Sequence, residues 1–212
     1  MIATDRLGFA YHPTQPPVLQ DFSHEFAAET LTVVSGRSGC GKSTLLYLAG
    51  LMLTPTRGRV LVDGVEVSSL SDGARSRLRA QHVGFVFQDA VLDPARSVLD
   101  NACEGGIYAG MPLAEQRHRA RELLARFGIE GRADHRPGEV SGGQAQRVAL
   151  CRALLKQPRL ILADEPTGNL DPDSAGIVWD ALHRAAAEGA TVIVATHDPA
   201  RGSAADHRIV LQ

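Results

Sequence analysis

The residues best suited to chemistry begin with a glycine-rich loop, which runs from Gly36 to Ser43 and reads GRSGCGKS. It matches the pattern G-x-x-x-x-G-K-[ST] and stands between a β-rich run, TLTVVSG, and the helical sequence KSTLLYLAGL. Glycines let backbone N–H groups turn toward phosphate oxygens, and the following helix presents its positive dipole end to the same anion. Lys42 would reach the β- and γ-phosphates, and the Ser43 hydroxyl would bind Mg²⁺. The loop therefore predicts a nucleotide phosphate site.

Polar side chains also follow two later apolar runs. Asp164 and Glu165 end the run LILADE, and His197 follows the run TVIVAT. In open α/β sheets, ligands bind at the carboxyl edge of the strands. Asp164 is suited to holding the metal, directly or through water, and Glu165 to polarising an attacking water as a general base. The His197 imidazole would donate to the γ-phosphate or position the water.

A second helix start with anion-binding character lies about a hundred residues after the loop. Ser141-Gly142-Gly143-Gln144 opens a helix that we expect to run roughly to Leu155, with Ser141 as its N-cap. Two glycines at a helix start leave N–H groups accessible to an anion. Spacing alone leaves open whether the two helix starts meet within one molecule.

The elements that must position these residues follow a β-α-β order, which predicts a mainly parallel, buried sheet. The pattern GRVLVDGVEV, with a turn at Asp63-Gly64, predicts a small antiparallel β sub-domain. Helical spacing, clearest in AEQRHRARELLARFG, predicts an inserted helical sub-domain over residues 89–155. We therefore predict one α/β domain over residues 1–212, in which residues 1–88 and 156–212 form the core and the β sub-domain.

The composition narrows the function classes. Residues of opposite charge nearly balance, at 24 acidic and 22 basic, so no global field would gather nucleic acid or anionic lipid. Three widely spaced cysteines indicate neither a disulfide framework nor a zinc site, and fit a reducing compartment. The first residues do not resemble a secretory signal, and no apolar stretch reaches the ~18 residues that span a membrane. Any membrane-spanning partner is therefore expected to be a separate chain.

Together these motifs resemble the ATP-binding subunits of ABC transporters, which have a P-loop NTPase fold, over essentially the whole chain. In family order they are GRSGCGKST, FVFQ with Gln88, VSGGQ, LILADE, PTGNLD and ATHD. The segments GFVFQ, HRPGEVSGGQ and ADEPTGNLD look most like the subgroup that powers lipoprotein release, macrolide or peptide export, and related cell-division complexes. Val140 replaces the usual Leu of the signature, and residues 93–96 are atypical where the family meets its membrane partner.

The resemblance implies a dimer of identical or similar copies, in which each ATP lies between one phosphate loop and the other copy's signature. Gln88 would contact Mg²⁺ or the attacking water and couple the site to the helical sub-domain, which would hold a transmembrane permease. Asp171 would link the two sites at the dimer interface, and Tyr11 would stack on adenine. The residues implied to contact ATP are Tyr11, Gly36, Ser38, Gly39, Cys40, Gly41, Lys42, Ser43, Thr44, Ser141, Gly142, Gly143, Gln144 and Asp171.

The implied activity is hydrolysis of ATP coupled to transport, with ATP and Mg²⁺ as cofactors. Glu165, His197 and Gln88 would be catalytic, and Ser43, Gln88 and Asp164 would hold the metal. The protein would lie on the cytoplasmic face of the plasma membrane, attached through the permease and not bound to nucleic acid. An alternative with the same active site is an ATP-gated scaffold of the cell-division type, which moves no solute.

Two residues of the sequence have alternative interpretations. Glu139, just before the signature, resembles a residue that communicates between the two halves of exporters, but it reads equally well as a helix-capping carboxylate. Cys40 is either a small residue that fills space in the loop or an oxidisable off-switch at a helix start.

DNA-repair and chromosome-organising ATPases are disfavoured, because they insert long coiled coils or zinc modules for which this chain has no room.

Overall fold

Two β-sheets organise the chain, of which the computed structural model describes residues 1–197 and 205–211. In chain order the strands are β1 (Ile2–Phe9), β2 (Leu19–Phe26), β3 (Leu31–Gly36), β4 (Arg57–Val62), β5 (Val65–Glu66), β6 (Val83–Val86), β7 (Leu160–Asp164), β8 (Thr191–Ala195) and β9 (His207–Leu211). The helices are α1 (Lys42–Ala49), α2 (Asp72–His82), α3 (Val98–Tyr108), α4 (Leu113–Arg126), α5 (Gly142–Leu154) and α6 (Pro172–Ala187). Short 3₁₀ turns at Glu130–Arg132 and Pro137–Glu139 connect α4 to α5.

The first sheet is antiparallel, with the strand order β2-β1-β4-β5 among the described residues. Its β4–β5 hairpin closes at the predicted turn, where Val62 pairs with Val65. The two turn residues, Asp63 and Gly64, both have positive φ, at 48° and 80°. A two-residue hairpin turn of type I′ needs positive φ at both positions, and Asp-Gly is a preferred pair there. The predicted antiparallel β sub-domain is therefore confirmed.

The second sheet is parallel throughout its described strands, in the order β6-β7-β8-β3-β9. All five residues of β7 and all five of β8 are buried, as expected for strands covered on both faces. The neighbours Ile161 and Leu162 illustrate this, because they belong to different apolar cores on opposite faces. Parallel strands end at the same edge of a sheet, so the residues that follow β3, β7 and β8 come together there.

The two cores connect the sheet to its surroundings. One joins the antiparallel sheet and α1 to one face of the parallel sheet. The other joins α6 and the opposite face to α3, α4 and α5, which contribute the buried Leu99, Leu124 and Leu150. These three helices fall within the predicted helical sub-domain, although its boundaries remain a prediction. Within residues 1–197 and 205–211, no helix has the length and apolar character required to cross a membrane.

Candidate nucleotide-binding site

The phosphate loop connects the end of β3 directly to the start of α1. Gly41 is the N-cap of α1 and has φ 97°, a left-handed conformation that glycine adopts without a steric penalty. A Cβ at this position would lie 3.1 Å from side-chain atoms of both Val18 and Leu19. No side chain among the described residues caps the N-terminus of α1. Its N–H groups are therefore available to an anion at the end of the helix where the dipole is positive.

Lys42 is nearly buried, with 8% of its surface exposed, and its ammonium folds back over the loop. Nζ donates to the carbonyl oxygens of Gly36 at 3.0 Å and of Arg37 at 3.1 Å. Both acceptors are neutral, so these bonds orient the ammonium without neutralising its charge. The positive charge of Lys42 therefore lies beside the backbone amides at the start of α1. A phosphate bound there would accept hydrogen bonds from both the ammonium and the amides.

Asp164, the last residue of β7, is held by two side chains of α1. Ser43 Oγ donates to Asp164 Oδ1 at 3.0 Å, and the Tyr47 hydroxyl donates to Oδ2 at 3.3 Å. Burial raises the pKa of the Asp164 carboxyl above its ordinary value, although both hydrogen bonds act in the opposite direction. Tyr47 is absent from the sequence prediction. Its position four residues after Ser43 on a helix was the available signal, since residues four apart share a face.

Glu165 and His197 meet at the carboxyl edge of the sheet. Glu165 has a positive φ of 46°, which is uncommon for a residue with a side chain and occurs often at functional sites. Its backbone N–H donates to the Ala195 carbonyl at 2.9 Å, which anchors this turn to the end of β8. His197 Nδ1 lies 2.8 Å from Glu165 Oε1, with 70% of the histidine side chain exposed and 16% of the glutamate side chain.

These groups surround a cavity of about 440 Å³. It is lined by Tyr11, Val18, Ser38, Gly39, Gly41, Lys42, Ser43, Thr44, Gln88, Asp164, Glu165 and His197. Tyr11 is 53% exposed, and its hydroxyl lies 3.1 Å from Thr44 Oγ1. Its ring rests edge-on against Phe9, with 4.9 Å between the centroids. Val18 was missed by sequence analysis, because an isolated valine before a strand carries no pattern.

Gly36 and Cys40 lie close together within the phosphate loop. A Cβ on Gly36 would lie 2.6 Å from Cys40 Sγ and 2.5 Å from the Leu211 carbonyl oxygen, so no larger residue fits without a shift. The Cys40 side chain is partly buried and packs against the core that contains α1. This contact agrees with the filler interpretation of Cys40.

The signature residues do not line the cavity of their own chain. Ser141 and Gln144 form a capping box at the start of α5, in which Gln144 N donates to Ser141 Oγ at 3.2 Å and Ser141 N donates to Gln144 Oε1 at 2.9 Å. Ser141 and Gly142 are exposed, and Gly143 lies against Ser174 at the start of α6. The second helix start is therefore not part of the cavity at the first.

Two acidic residues near the signature act as local caps. Asp171 is the N-cap of α6 and accepts a hydrogen bond from Ser174 N at 2.9 Å, which lowers the pKa of its carboxyl. Glu139 accepts from the Arg136 backbone N–H at 2.6 Å. This hydrogen bond supports the capping interpretation of Glu139. Asp171, like the signature, is not a lining residue of the cavity.

The oxygen atoms of the site are suitable ligands for a hard cation that is bound together with a phosphate. Among the described residues, no group of three or more His, Cys, Asp or Glu is arranged to hold a metal alone. Ser43 Oγ and Asp164 Oδ1, 3.0 Å apart, instead offer two oxygen ligands beside the phosphate loop. Mg²⁺ commonly takes one or two protein oxygens and fills its remaining positions with phosphate and water.

Comparison with known proteins agrees with this geometry. The ABC transporter family model matches residues 19–168. The chain is 46% identical over 183 residues to the lipoprotein-releasing system ATP-binding protein LolD of Paramagnetospirillum magneticum, covering 86% of this chain and 81% of LolD. It is also 46% identical to the macrolide export ATP-binding/permease protein MacB of Chromobacterium violaceum, covering 86% of this chain and 28% of MacB.

Solved structures resemble the fold over its whole length. A dimeric ATP-binding cassette in a post-hydrolysis state, bound to ADP and Pi, superposes with a TM-score of 0.92. The two sequences are 33% identical, and the match covers 100% of this chain and 94% of that chain. The predicted α/β fold class is confirmed by this match together with the two observed sheets.

Proposed function

Since this chain belongs to the ABC transporter family as an ATP-binding, ATP-hydrolysing cassette, we propose that two copies close head to tail around two ATP molecules. Each cycle of binding and hydrolysis then drives a separate membrane-spanning permease. One observation carries the proposal: the chain has two glycine-containing helix starts, at Gly41 and at Ser141, and only the first lines the cavity. The second is exposed at Ser141 and Gly142, and its capping box does not use the N–H groups of Gly142 and Gly143, so it fits a nucleotide held by another copy.

Within one copy, the phosphates of ATP would lie on the amides of the loop and of α1, with Lys42 against the β- and γ-phosphates. Glu165 would take the proton of the attacking water as its oxygen bonds to the γ-phosphorus. The bond between that phosphorus and the bridging oxygen breaks, and ADP and phosphate leave. His197 would orient Glu165 or the phosphate, and Tyr11 would contact the adenine ring.

The metal ion in this reaction would be Mg²⁺. Ser43 and Asp164 would hold it, and Gln88 would lie beside it. When bound, it neutralises charge on the β- and γ-phosphates as the terminal bond breaks. The raised pKa of Asp164 supports this placement, because a neighbouring cation would offset the cost of burying the ionised carboxylate. The two α1 hydroxyls that hold Asp164 fix its orientation toward the loop.

The second copy would complete the site with Ser141, Gly142, Gly143 and Gln144. The N–H groups of Gly142 and Gly143, the Ser141 hydroxyl as a donor and the positive end of the α5 dipole would face the γ-phosphate from the side opposite the loop. Asp171 would lie at the same interface, because it is at the start of α6 and next to Gly143. A site divided in this way assembles only when ATP is present, which makes dimerisation depend on the nucleotide.

The permease would dock in a groove of about 500 Å³ between the core and the helical region. Its apolar surface includes Met52, which is 46% exposed, and Tyr108, which is 70% exposed. Its charged lining residues are Arg77, Arg79 and Lys156, and no acidic residue among those described lines it. Charge complementarity therefore favours a short amphipathic cytoplasmic segment of the permease that carries a carboxylate.

Lys156 supports this choice of occupant. Its Nζ donates to the carbonyl oxygens of Arg79 at 2.9 Å and Ala80 at 2.6 Å, near the C-terminus of α2. Burial lowers the pKa of Lys156 to about 8. A carboxylate in the groove would offset this desolvation and favour the charged form. The same segment would attach the protein to the cytoplasmic face of the membrane. Similarity to LolD and MacB favours extraction of lipoproteins or export of macrolides or peptides as the work performed.

The proposal is tested with Glu165→Gln, which removes the general base and keeps the size of the side chain. We expect turnover to fall by about 10²–10⁴-fold, because this is the usual contribution of a general base. ATP binding should persist, so an ATP-bound dimer should accumulate, measured by size-exclusion chromatography with light scattering. Two nucleotides per dimer are expected.

The matched control is Glu165→Gln combined with Ser141→Arg, which places a bulky side chain at the exposed helix start. This double variant should bind ATP and stay monomeric. A Glu165→Gln protein that binds ATP only as a monomer would contradict the head-to-tail arrangement. Turnover near that of the unmodified protein would remove Glu165 from the role of base.

A further inference from the structure

Helix α5 holds the segment that carries Gln88. This segment, residues 87–97, follows β6 without regular secondary structure and is called here the 87–97 loop. Gln146, on α5, is buried with 3% of its surface exposed. Its Nε2 donates to the carbonyl oxygen of Phe87 at 2.8 Å. The residue immediately before Gln88 is thus bonded to α5 rather than only to the sheet.

Arg152, near the C-terminal end of α5, holds the same loop beyond Gln88. Its Nη2 donates to the Ala90 carbonyl at 2.9 Å and its Nη1 donates to the Val91 carbonyl at 2.8 Å. Nη1 also pairs with Glu104 of α3 at 3.3 Å. The Arg152 side chain is only 13% exposed. A planar guanidinium that donates to two successive carbonyls fixes both their separation and their direction, which a single-point donor cannot do.

The far end of the 87–97 loop is bonded to α3. Asn101 is fully buried, accepts from Asp93 N at 2.7 Å, and donates to the carbonyls of Asp93 at 3.1 Å and Ser97 at 2.9 Å. Helices α3 and α5 share one apolar core. The loop is therefore bonded along its length to the helical region, although Gln88 itself lines the cavity of the core.

We infer that Gln146 and Arg152 are positioning residues, which make α5 a rigid connector between two nucleotide sites. The inference rests on the proposed function, in which the Ser141 end of α5 contacts the nucleotide of the other copy. A helix of 13 residues is about 20 Å long and moves as one body. Movement of its first turn toward the other copy's phosphate is transmitted to Phe87, Ala90 and Val91. Gln88 then enters or leaves its own cavity as the other site closes or opens.

The decisive variant is Gln146→Glu, which has the same shape but cannot donate a hydrogen bond when ionised. We expect kcat to fall about tenfold or more, because a buried hydrogen bond is lost and a carboxylate faces the Phe87 carbonyl. The KM for ATP should stay the same, since no group that binds nucleotide has changed. Lowering the pH from about 8 to about 6 should restore part of the loss relative to the unmodified protein, because a protonated buried carboxyl donates again.

A matched control is Gln116→Glu in α4. Gln116 is also buried, and its Nε2 also donates to a backbone carbonyl, that of Met111, at 2.6 Å. It lies in the same helical region, but its hydrogen bond is made to the connection between α3 and α4 and not to the 87–97 loop. Gln116→Glu should lower the melting temperature without the selective loss of kcat. Arg152→Lys keeps the charge but loses the planar guanidinium, and it should lower kcat without changing the KM for ATP. This variant tests the inference if Gln146→Glu fails to fold.

The outcomes separate this inference from the proposed function. Combining Gln146→Glu with Glu165→Gln should leave the ATP-dependent dimer intact, because the signature itself is unchanged. If the dimer forms and Gln146→Glu turns over like Gln116→Glu, the connector role is wrong and the proposed function stands. If Glu165→Gln alone forms no dimer with ATP, the proposed function fails and this inference fails with it.

Discussion

Glu165 and His197 form a side-chain pair across two strand ends, with His197 Nδ1 2.8 Å from Glu165 Oε1. The contact suggests that the imidazole acts through the carboxylate. We expect His197→Ala to lower kcat by about 10²–10³-fold, the usual loss when one well-placed donor is removed. The affinity for ATP should change little. Steady-state kinetics together with equilibrium nucleotide binding check both expectations.

A double variant distinguishes the two roles proposed for His197. If the imidazole works by orienting Glu165, then His197→Ala added to Glu165→Gln costs nothing further, because residues acting as a unit are not additive. If the two losses multiply, His197 instead acts directly on the γ-phosphate.

Lys42→Ala should weaken ATP binding by about 10-fold to 150-fold, which corresponds to a loss of about 1.5–3 kcal/mol for hydrogen bonds to a charged group. The reason is that Lys42 holds a full positive charge within the loop, against neutral carbonyls only. Isothermal titration calorimetry measures this loss. Arg126→Ala is a suitable control, since Arg126 pairs with Glu188 at 3.2 Å outside the cavity. Equal affinities of both variants would contradict the phosphate-loop assignment.

Asp164→Asn should stabilise the nucleotide-free protein at neutral pH. The folded-state pKa of Asp164 lies above its unfolded value because of burial, so the ionised carboxylate costs stability above the folded pKa. That cost disappears below the unfolded pKa, about 3.9. The melting temperature of Asp164→Asn should therefore exceed that of the unmodified protein at pH 7, by about 2–4 °C for each kcal/mol gained.

Two further measurements complete the Asp164 prediction. The advantage in melting temperature should shrink as the pH falls to about 4 and disappear below it, because the aspartate then becomes protonated in both states. With Mg²⁺ and ATP present, the unmodified protein should instead have the higher melting temperature. Asparagine is a poorer ligand for Mg²⁺, so the variant is stabilised less by binding. A variant that is less stable at every pH would contradict the assigned direction of the pKa shift.

Mixing Ser141→Arg subunits with Lys42→Ala subunits tests whether each nucleotide is shared. In a head-to-tail heterodimer, one interface combines both defects and the other contains an intact loop with an intact signature. We expect one ATP per heterodimer, measured by native mass spectrometry, and about the affinity of the unmodified site. Neither variant alone should form an ATP-bound dimer. An ATP-bound dimer of Ser141→Arg subunits alone would show that Ser141 plays no part in the neighbouring site.

Local patterns were sufficient to predict much of the fold. The β3–loop–α1 unit, the Asp63-Gly64 hairpin and the Ser141 cap each depend on a few adjacent residues whose conformational preferences agree. Tyr47 escaped prediction even though it lies on the same helix face as Ser43, because its partner Asp164 is 117 residues away. A tyrosine in an apolar helix is otherwise indistinguishable from core packing.

The sequence by itself determined which groups this protein carries and at which strand ends and helix starts they stand, because the period of the apolar residues and the turn chemistry are local properties. Only the tertiary structure decided which of them meet. The parallel order of β7, β8 and β3 joins Glu165 to His197, whereas packing of α5 against α3 ties Gln146 and Arg152 to the loop of Gln88. Such pairings depend on strand order and on two apolar cores, which are set by burial summed over the whole chain and by no single segment.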